Sequence, residues 1–193
     1  MALIETSNKL AAEDRQLWER LRLDDEKALE TLFTRHHHFL YDYCLKLARS
    51  EELAKDCIQE VFIYIWKKRK DIASVSSVKA YLLSSVRRHY LSMLEKNRKL
   101  KNRHQSLATG EDLYAFSPED LVVLQEHREE KKELLQNAMS EIPARMREAL
   151  YLRTFDELSY KEIAEVMQVS PQVAYNYVSE AFQRLKKTFL GKG

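Results

Sequence analysis

The chain has 193 residues, enough for one domain or two small ones, and its 32 Lys plus Arg against 30 Asp plus Glu leave a net charge of +2 that by itself points to no polyanionic partner. With 3 Gly and 3 Pro, it lacks the turn residues of a many-stranded sandwich or barrel and has no Gly-rich phosphate loop, while 45% hydrophobic content is enough for a buried core. The expectation is an all-α protein.

Consecutive helices are predicted from about Trp18 to Lys96. In Asp24 to Ala48, Leu29, Leu32, Phe33, Leu40, Tyr43, Cys44 and Leu47 recur at helical spacing. The triplet His36-His37-His38 lies on this helix, where neighbouring side chains diverge by about 100° and cannot converge on one ion. One packed ring and two exposed ones are expected. Cys44 and Cys57 are 13 residues apart with no zinc-type spacing, so reduced thiols are expected rather than a disulfide or a metal site.

The next helix, Leu53 to Lys67, turns Ile58, Val61, Phe62 and Ile65 to one face and Asp56, Gln59, Glu60 and Ile63 to the other. The polar stretch at 71–77 is a loop or a helix start. From Ser77 to Leu94 the spacing directs Leu82, Val86, Tyr90 and Met93 or Leu94 inward and Ser84, Arg87, Arg88, Leu91 and Glu95 outward. From Asn97 to Phe116 no period survives, which reads as an inter-domain tether. Ser117-Pro118-Glu119-Asp120 then has the cap, the first-turn proline and the acids of a helix start, with the helix running to about Ser140 and another opening at Pro143.

Charge is distributed unevenly along this layout. Met1 to Trp66 nets −4, Lys67 to Arg103 nets +10, His104 to Glu130 nets −6 and the remainder +2. A +10 block within a helical pattern is a polyanion surface in waiting.

The C-terminal segment carries the sharpest motif. Ser159-Tyr160-Lys161-Glu162 is a capping box opening a short helix with Ile163, Ala164 and Met167 inward. Gln168 and Val169 make a turn, with Gln168 where such motifs usually have Gly. Ser170 and Pro171 start a second helix whose inner stripe is Ala174, Val178, Ala181 and Leu185. Two short helices joined by a tight turn describe a helix-turn-helix. Its second helix presents Gln172, Tyr175, Asn176 and Ser179 for base edges or phosphates, and Arg184, Lys186 and Lys187 follow for the backbone.

Taken together, Asp24 to Leu29, Asp56-Cys57-Ile58-Gln59-Glu60-Val61-Phe62 closed by Trp66, Lys79-Ala80-Tyr81-Leu82, Ile142-Pro143 with Arg147 to Leu150, and Leu158 to Ala164 resemble the extracytoplasmic-function (ECF) sigma factors of the sigma-70 family. The resemblance implies two small helical domains on a flexible linker: an N-terminal extension at 1–19, sigma domain 2 at 20–96, the linker at 97–119 and sigma domain 4 at 120–189. It implies an alternative sigma factor that binds RNA polymerase core and directs promoter-specific initiation. Asp56, Gln59, Glu60 and Ile63 would bind the core's largest-subunit clamp helices, with further contact to the flap region. Lys79, Tyr81, Ser84, Arg87, Arg88 and Ser92 would meet the minus-10 element, Tyr81 and the loop at 71–78 handling unstacked bases. Arg88 stands where members usually have asparagine. Ser170, Pro171, Gln172, Tyr175, Asn176, Ser179, Arg184 and Lys187 would meet the minus-35 element. An anti-sigma factor is an implied partner.

No Ser/His/Asp set, paired-carboxylate pocket or Cys/His pair has the context that catalysis needs, so no enzyme, cofactor or metal is expected. The N-terminus has no basic region followed by an apolar core, and 18 consecutive apolar residues occur nowhere, so neither secretion nor membrane spanning is expected and a cytoplasmic location is. The competing reading is a helix-turn-helix regulator acting on duplex DNA without polymerase. It needs a dimerisation surface and leaves residues 20–96 without a purpose.

Overall fold

The computed structural model describes residues 2–101, 116 and 137–190. The helix start expected at Ser117-Pro118 and most of the expected tether lie outside them. The chain divides into two compact units, Met1–Ser92 and Met93–Gly193.

Four helices build the first unit in order, the last of them running on past Ser92: α1 Ala2–Arg22, α2 Glu26–Ala48, α3 Glu51–Lys68 and α4 Val78–Lys101. Short polar side chains start α2, α3 and α4. Asp25 accepts from the Ala28 N–H at 3.2 Å, Ser50 from Leu53 at 3.3 Å and Ser77 from Ala80 at 3.2 Å. Asp24 (φ 70°) and Arg49 (φ 51°) turn the chain between helices within a few residues. Trp18 and Leu21 of α1, Leu32, Leu40, Tyr43 and Leu47 of α2, Ile58 and Ile65 of α3, and Leu82 and Leu83 of α4 are withdrawn from water. Each large apolar side chain buried this way contributes roughly 1.5–3 kcal/mol.

All three other helices touch α4. The Trp18 ring meets Tyr81 edge-on with centroids 4.8 Å apart, the Lys79 ammonium lies 4.8 Å from the Phe39 ring centroid, and the Cys57 thiol donates to the Val86 carbonyl at 3.5 Å. A helix so surrounded buries more than one stripe. Leu82, Val86 and Tyr90 are inward as expected, but Ala80, Ser84 and Arg87 form a second buried row at i, i+4 and i+7. The outward assignment of Ser84 and Arg87 is therefore wrong. The helix also continues to Lys101, past the expected end of periodicity near Lys96.

The second unit contains helical residues 137–140, then α5 Ala144–Thr154, α6 Tyr160–Met167 and α7 Pro171–Leu190. Arg147 fastens its entry. One guanidinium donates to the carbonyls of Phe116 at 2.7 Å, Met139 at 3.1 Å and Ile142 at 2.5 Å. The fully buried Phe116 ring packs beside Tyr151 at 5.3 Å. Ala149, Leu150 and Leu152 of α5 form the core with Ile163, Ala164, Val166 and Met167 of α6 and Ala174, Val178 and Ala181 of α7.

Candidate nucleic-acid interface

On α3 the two faces separate as the periodicity predicts. Ile58, Val61, Phe62 and Ile65 are buried, Asp56, Gln59 and Glu60 are exposed and Ile63 is half-buried. The structure adds Tyr64, four residues after Glu60 and 57% exposed. An exposed tyrosine beside two carboxylates and an amide suits a basic helical partner.

The outer face of α4 is displaced by one residue from the expected one. Tyr81, Ser85, Arg88 and Ser92 fall at i, i+4, i+7 and i+11; Arg88 and Ser92 are exposed, Tyr81 and Ser85 half-buried. Burial pushes the Tyr81 phenol up, against the opposing pull of the Ser85 hydrogen bond and the Arg88 charge. Lys79 is half-buried over Phe39, and Ser84 and Arg87 face the interior. The stripe therefore brings together Tyr81, Arg88 and Ser92 of the expected set, with Ser85 as a member the sequence reading missed. A period of 3.6 makes Ser85 legible in principle, once Tyr81 rather than Ser84 anchors the count. Arg69 and Lys70 of the basic block pair with Asp24, and Arg69 also lies 4.1 Å over the Trp66 ring, so these two charges help to close the α1–α2 turn.

In the second unit both halves of the capping box form: the Glu162 N–H donates to Ser159 Oγ at 3.3 Å, and the Ser159 N–H donates to Glu162 Oε2 at 2.9 Å. Gln168 ends α6 at φ 56°, ψ 49°, the left-handed conformation for which glycine is the usual residue. The Ser170 hydroxyl accepts from the Val173 N–H at 3.3 Å and starts α7. Pro171, Gln172, Tyr175 and Asn176 are exposed and Ser179 is half-buried. Gln172 Nε2 donates to Asn176 Oδ1 at 3.0 Å, and Tyr160 meets Tyr175 edge-on at 5.3 Å. Lys187 is exposed. Arg184 is engaged within its own unit, 2.6 Å from Glu180 and 3.1 Å from the Glu141 carbonyl. The α7 N-terminus thus presents amide and phenol groups where the helix dipole favours phosphate.

The three histidines occupy different settings. His36 is buried beside Asp14, His37 lies between the Phe33 and Tyr41 rings, and His38 is exposed near Asp42. Among the described residues no group of His, Cys, Asp and Glu could hold a metal ion, and no helix is long and apolar enough to cross a membrane. Cys44 and Cys57 are buried free thiols; the hydrogen bond that the Cys44 thiol donates to Cys57, together with burial, pushes the Cys44 thiol far up.

Residues 32–100 match the family described as Sigma-70 region 2, and residues 132–185 match Sigma-70, region 4. The chain belongs to the ECF group of the sigma-70 family. As an alternative sigma factor it directs transcription initiation, and the region 2 match accounts for the half that a simple duplex-binding regulator would leave idle. Curated relatives include the ECF RNA polymerase sigma factor SigM of Bacillus subtilis, 29% identical over 163 residues and spanning 83% of this chain and 94% of its own. The ECF RNA polymerase sigma-E factor of Escherichia coli is 28% identical over 167 residues, spanning 80% and 82%. Two solved structures share the fold. They are the sigma factor RpoE in complex with the anti-sigma factor NepR from Bartonella quintana (TM-score 0.59, 19% identity, 84% of this chain and 97% of that one) and CnrH in complex with the cytosolic domain of CnrY (TM-score 0.60, 19% identity, 93% and 99%).

Proposed function

We propose that this sigma factor docks on RNA polymerase core through Asp56, Gln59, Glu60, Ile63 and Tyr64 of α3. It then engages the minus-10 element through the Tyr81, Ser85, Arg88 and Ser92 stripe, Lys79 and the loop at 71–77. The single observation that carries this reading is the split of α3 into a closed apolar face and an open Asp56, Gln59, Glu60 face. Charged and amide groups arranged this way steer and orient a cationic partner helix, here the clamp helices. Ser84 and Arg87 hold the interior of the unit.

The second unit reads the minus-35 element as duplex, with Gln172, Tyr175, Asn176 and Ser179 towards the major groove, Ser170 and Pro171 presenting the α7 N-terminus, and Lys186 and Lys187 towards phosphates. Residues 20–96 act as domain 2, 97–119 as the tether and 120–189 as domain 4. The protein works in the cytoplasm as a non-catalytic subunit and needs no cofactor. Both solved relatives carry a bound protein, which supports an anti-sigma factor as a partner of this chain too.

The test is reconstitution: purified protein, bacterial core polymerase and a duplex library randomised across both promoter elements, with the run-off transcripts sequenced. Transcripts enriched for one pair of elements are expected. No transcripts, together with tight binding to a palindromic duplex, would overturn the reading.

A further inference from the structure

Residues 69–77 join α3 to α4, and α1 grips this connection from 50 or more residues away in sequence. Trp18 Nε1 donates to the Ala73 carbonyl at 3.1 Å. Arg22 donates from Nε to the Ile72 carbonyl and from Nη1 to Ser74 Oγ, both at 2.8 Å. Arg15 Nη1 reaches the Ser76 carbonyl at 3.5 Å. The Ser74 hydroxyl also engages Glu19, whose carboxyl is held low first by that bond and, against the opposing effect of burial, by Arg22. Positions 15, 18, 19 and 22 share one face of α1. The same Trp18 ring packs edge-on against Tyr81 in the first turn of α4.

Two physical points follow. The connection is polar and largely exposed, with Ala73, Ser74 and Ser76 open to solvent, so its own packing cannot hold one conformation. Its in-loop hydrogen bonds lie at its start, where the Asp71 and Ile72 N–H groups donate to the Lys68 carbonyl at 2.8 and 3.0 Å, and the α1 side chains supply anchors from Ile72 through Ser76.

We propose that α1 is a brace for promoter reading, in which Arg15, Trp18, Glu19 and Arg22 are positioning residues that set the shape of residues 72–76 and so determine which minus-10 bases are accepted. The proposal rests on the reading that this loop meets unstacked promoter bases. Ordering the loop before DNA arrives removes an entropic cost from binding and rejects bases that fit only an altered loop.

The test uses two full-length variants with core polymerase and a duplex promoter library randomised at the minus-10 element. The brace variant, Trp18→Phe with Arg22→Met, keeps bulk and removes the N–H donors; the loop variant is Ser74→Gly with Val75→Gly. The brace variant is expected to bind core within twofold of wild type while its preference for the best over the second-best base falls at least fivefold, at the positions the loop variant flattens. A flattened loop variant beside an unchanged brace variant overturns the brace. Two unchanged variants overturn the base-reading role of the loop and the brace with it. Core affinity and base preference lost together in the brace variant show a merely structural role and also overturn the proposal.

Discussion

Oδ2 of Asp14 lies 2.9 Å from Nε2 of His36, and both side chains are almost closed to water. Arg35 approaches the other carboxylate oxygen at 2.6 Å, so one aspartate of α1 ties two consecutive residues of α2. Burial works against the charged carboxyl, but His36 and Arg35 outweigh it and hold its pKa below the ordinary value. A carboxyl with a folded pKa below its unfolded one contributes stability that is complete above the unfolded value of about 4 and fades as pH drops through the folded value. Replacing Asp14 with Asn is expected to cost the first unit about 1–3 kcal/mol at neutral pH, by taking the carboxylate from the buried His36 ring and from the more exposed Arg35. The variant should also lose part of the wild-type acid dependence below about pH 4, which urea titrations at stepped pH would reveal.

The double variant Gln59→Ala with Glu60→Ala should weaken binding to core polymerase at least tenfold, about 1.4 kcal/mol. Both residues are exposed, so the melting temperature should stay within what ordinary surface changes produce, about 0.5 kcal/mol of stability. Unchanged affinity in a titration of labelled core would show that polymerase docks elsewhere.

Gln168 holds a left-handed backbone at φ 56°. A side chain there costs about 1–2 kcal/mol, which glycine avoids at some expense in unfolded-state entropy. Gln168→Gly should therefore stabilise the second unit by about 1 kcal/mol, a rise in melting temperature of roughly 4–8 °C for a unit of this size. A calorimetric scan showing no rise would mean that the turn is not held as described.

Arg147 reaches three carbonyls with one planar group. Lysine keeps the charge but has no fork, so Arg147→Lys should destabilise the second unit by about 2 kcal/mol. Hydrogen exchange should locate the loosening around Met139, Ile142 and the first turn of α5.

On DNA, Asn176→Ala should cost about 1–3 kcal/mol against the preferred minus-35 duplex and little against a scrambled one, because base contacts carry sequence information. Lys187→Ala should weaken both duplexes alike and reduce the salt slope by about 1. Binding isotherms at stepped salt separate the two effects.

Much of this protein follows from local rules. A helix repeats every 3.6 residues, so the closed and open faces of α3 are visible in the order of Asp56, Ile58, Gln59, Glu60, Val61 and Phe62 alone. Caps join residues three apart, so Ser159 with Glu162 and Ser170 before Pro171 mark the helix-turn-helix without any tertiary information. What folding alone decided depends on elements distant in the chain. The burial of Ser84 and Arg87 is set by α4 being packed on several sides, which periodicity cannot count. The hold of Trp18 and Arg22 on the loop at 72–74 spans 50 residues or more, and nothing local in a polar N-terminal segment distinguishes a loose extension from a helix that organises a distant loop.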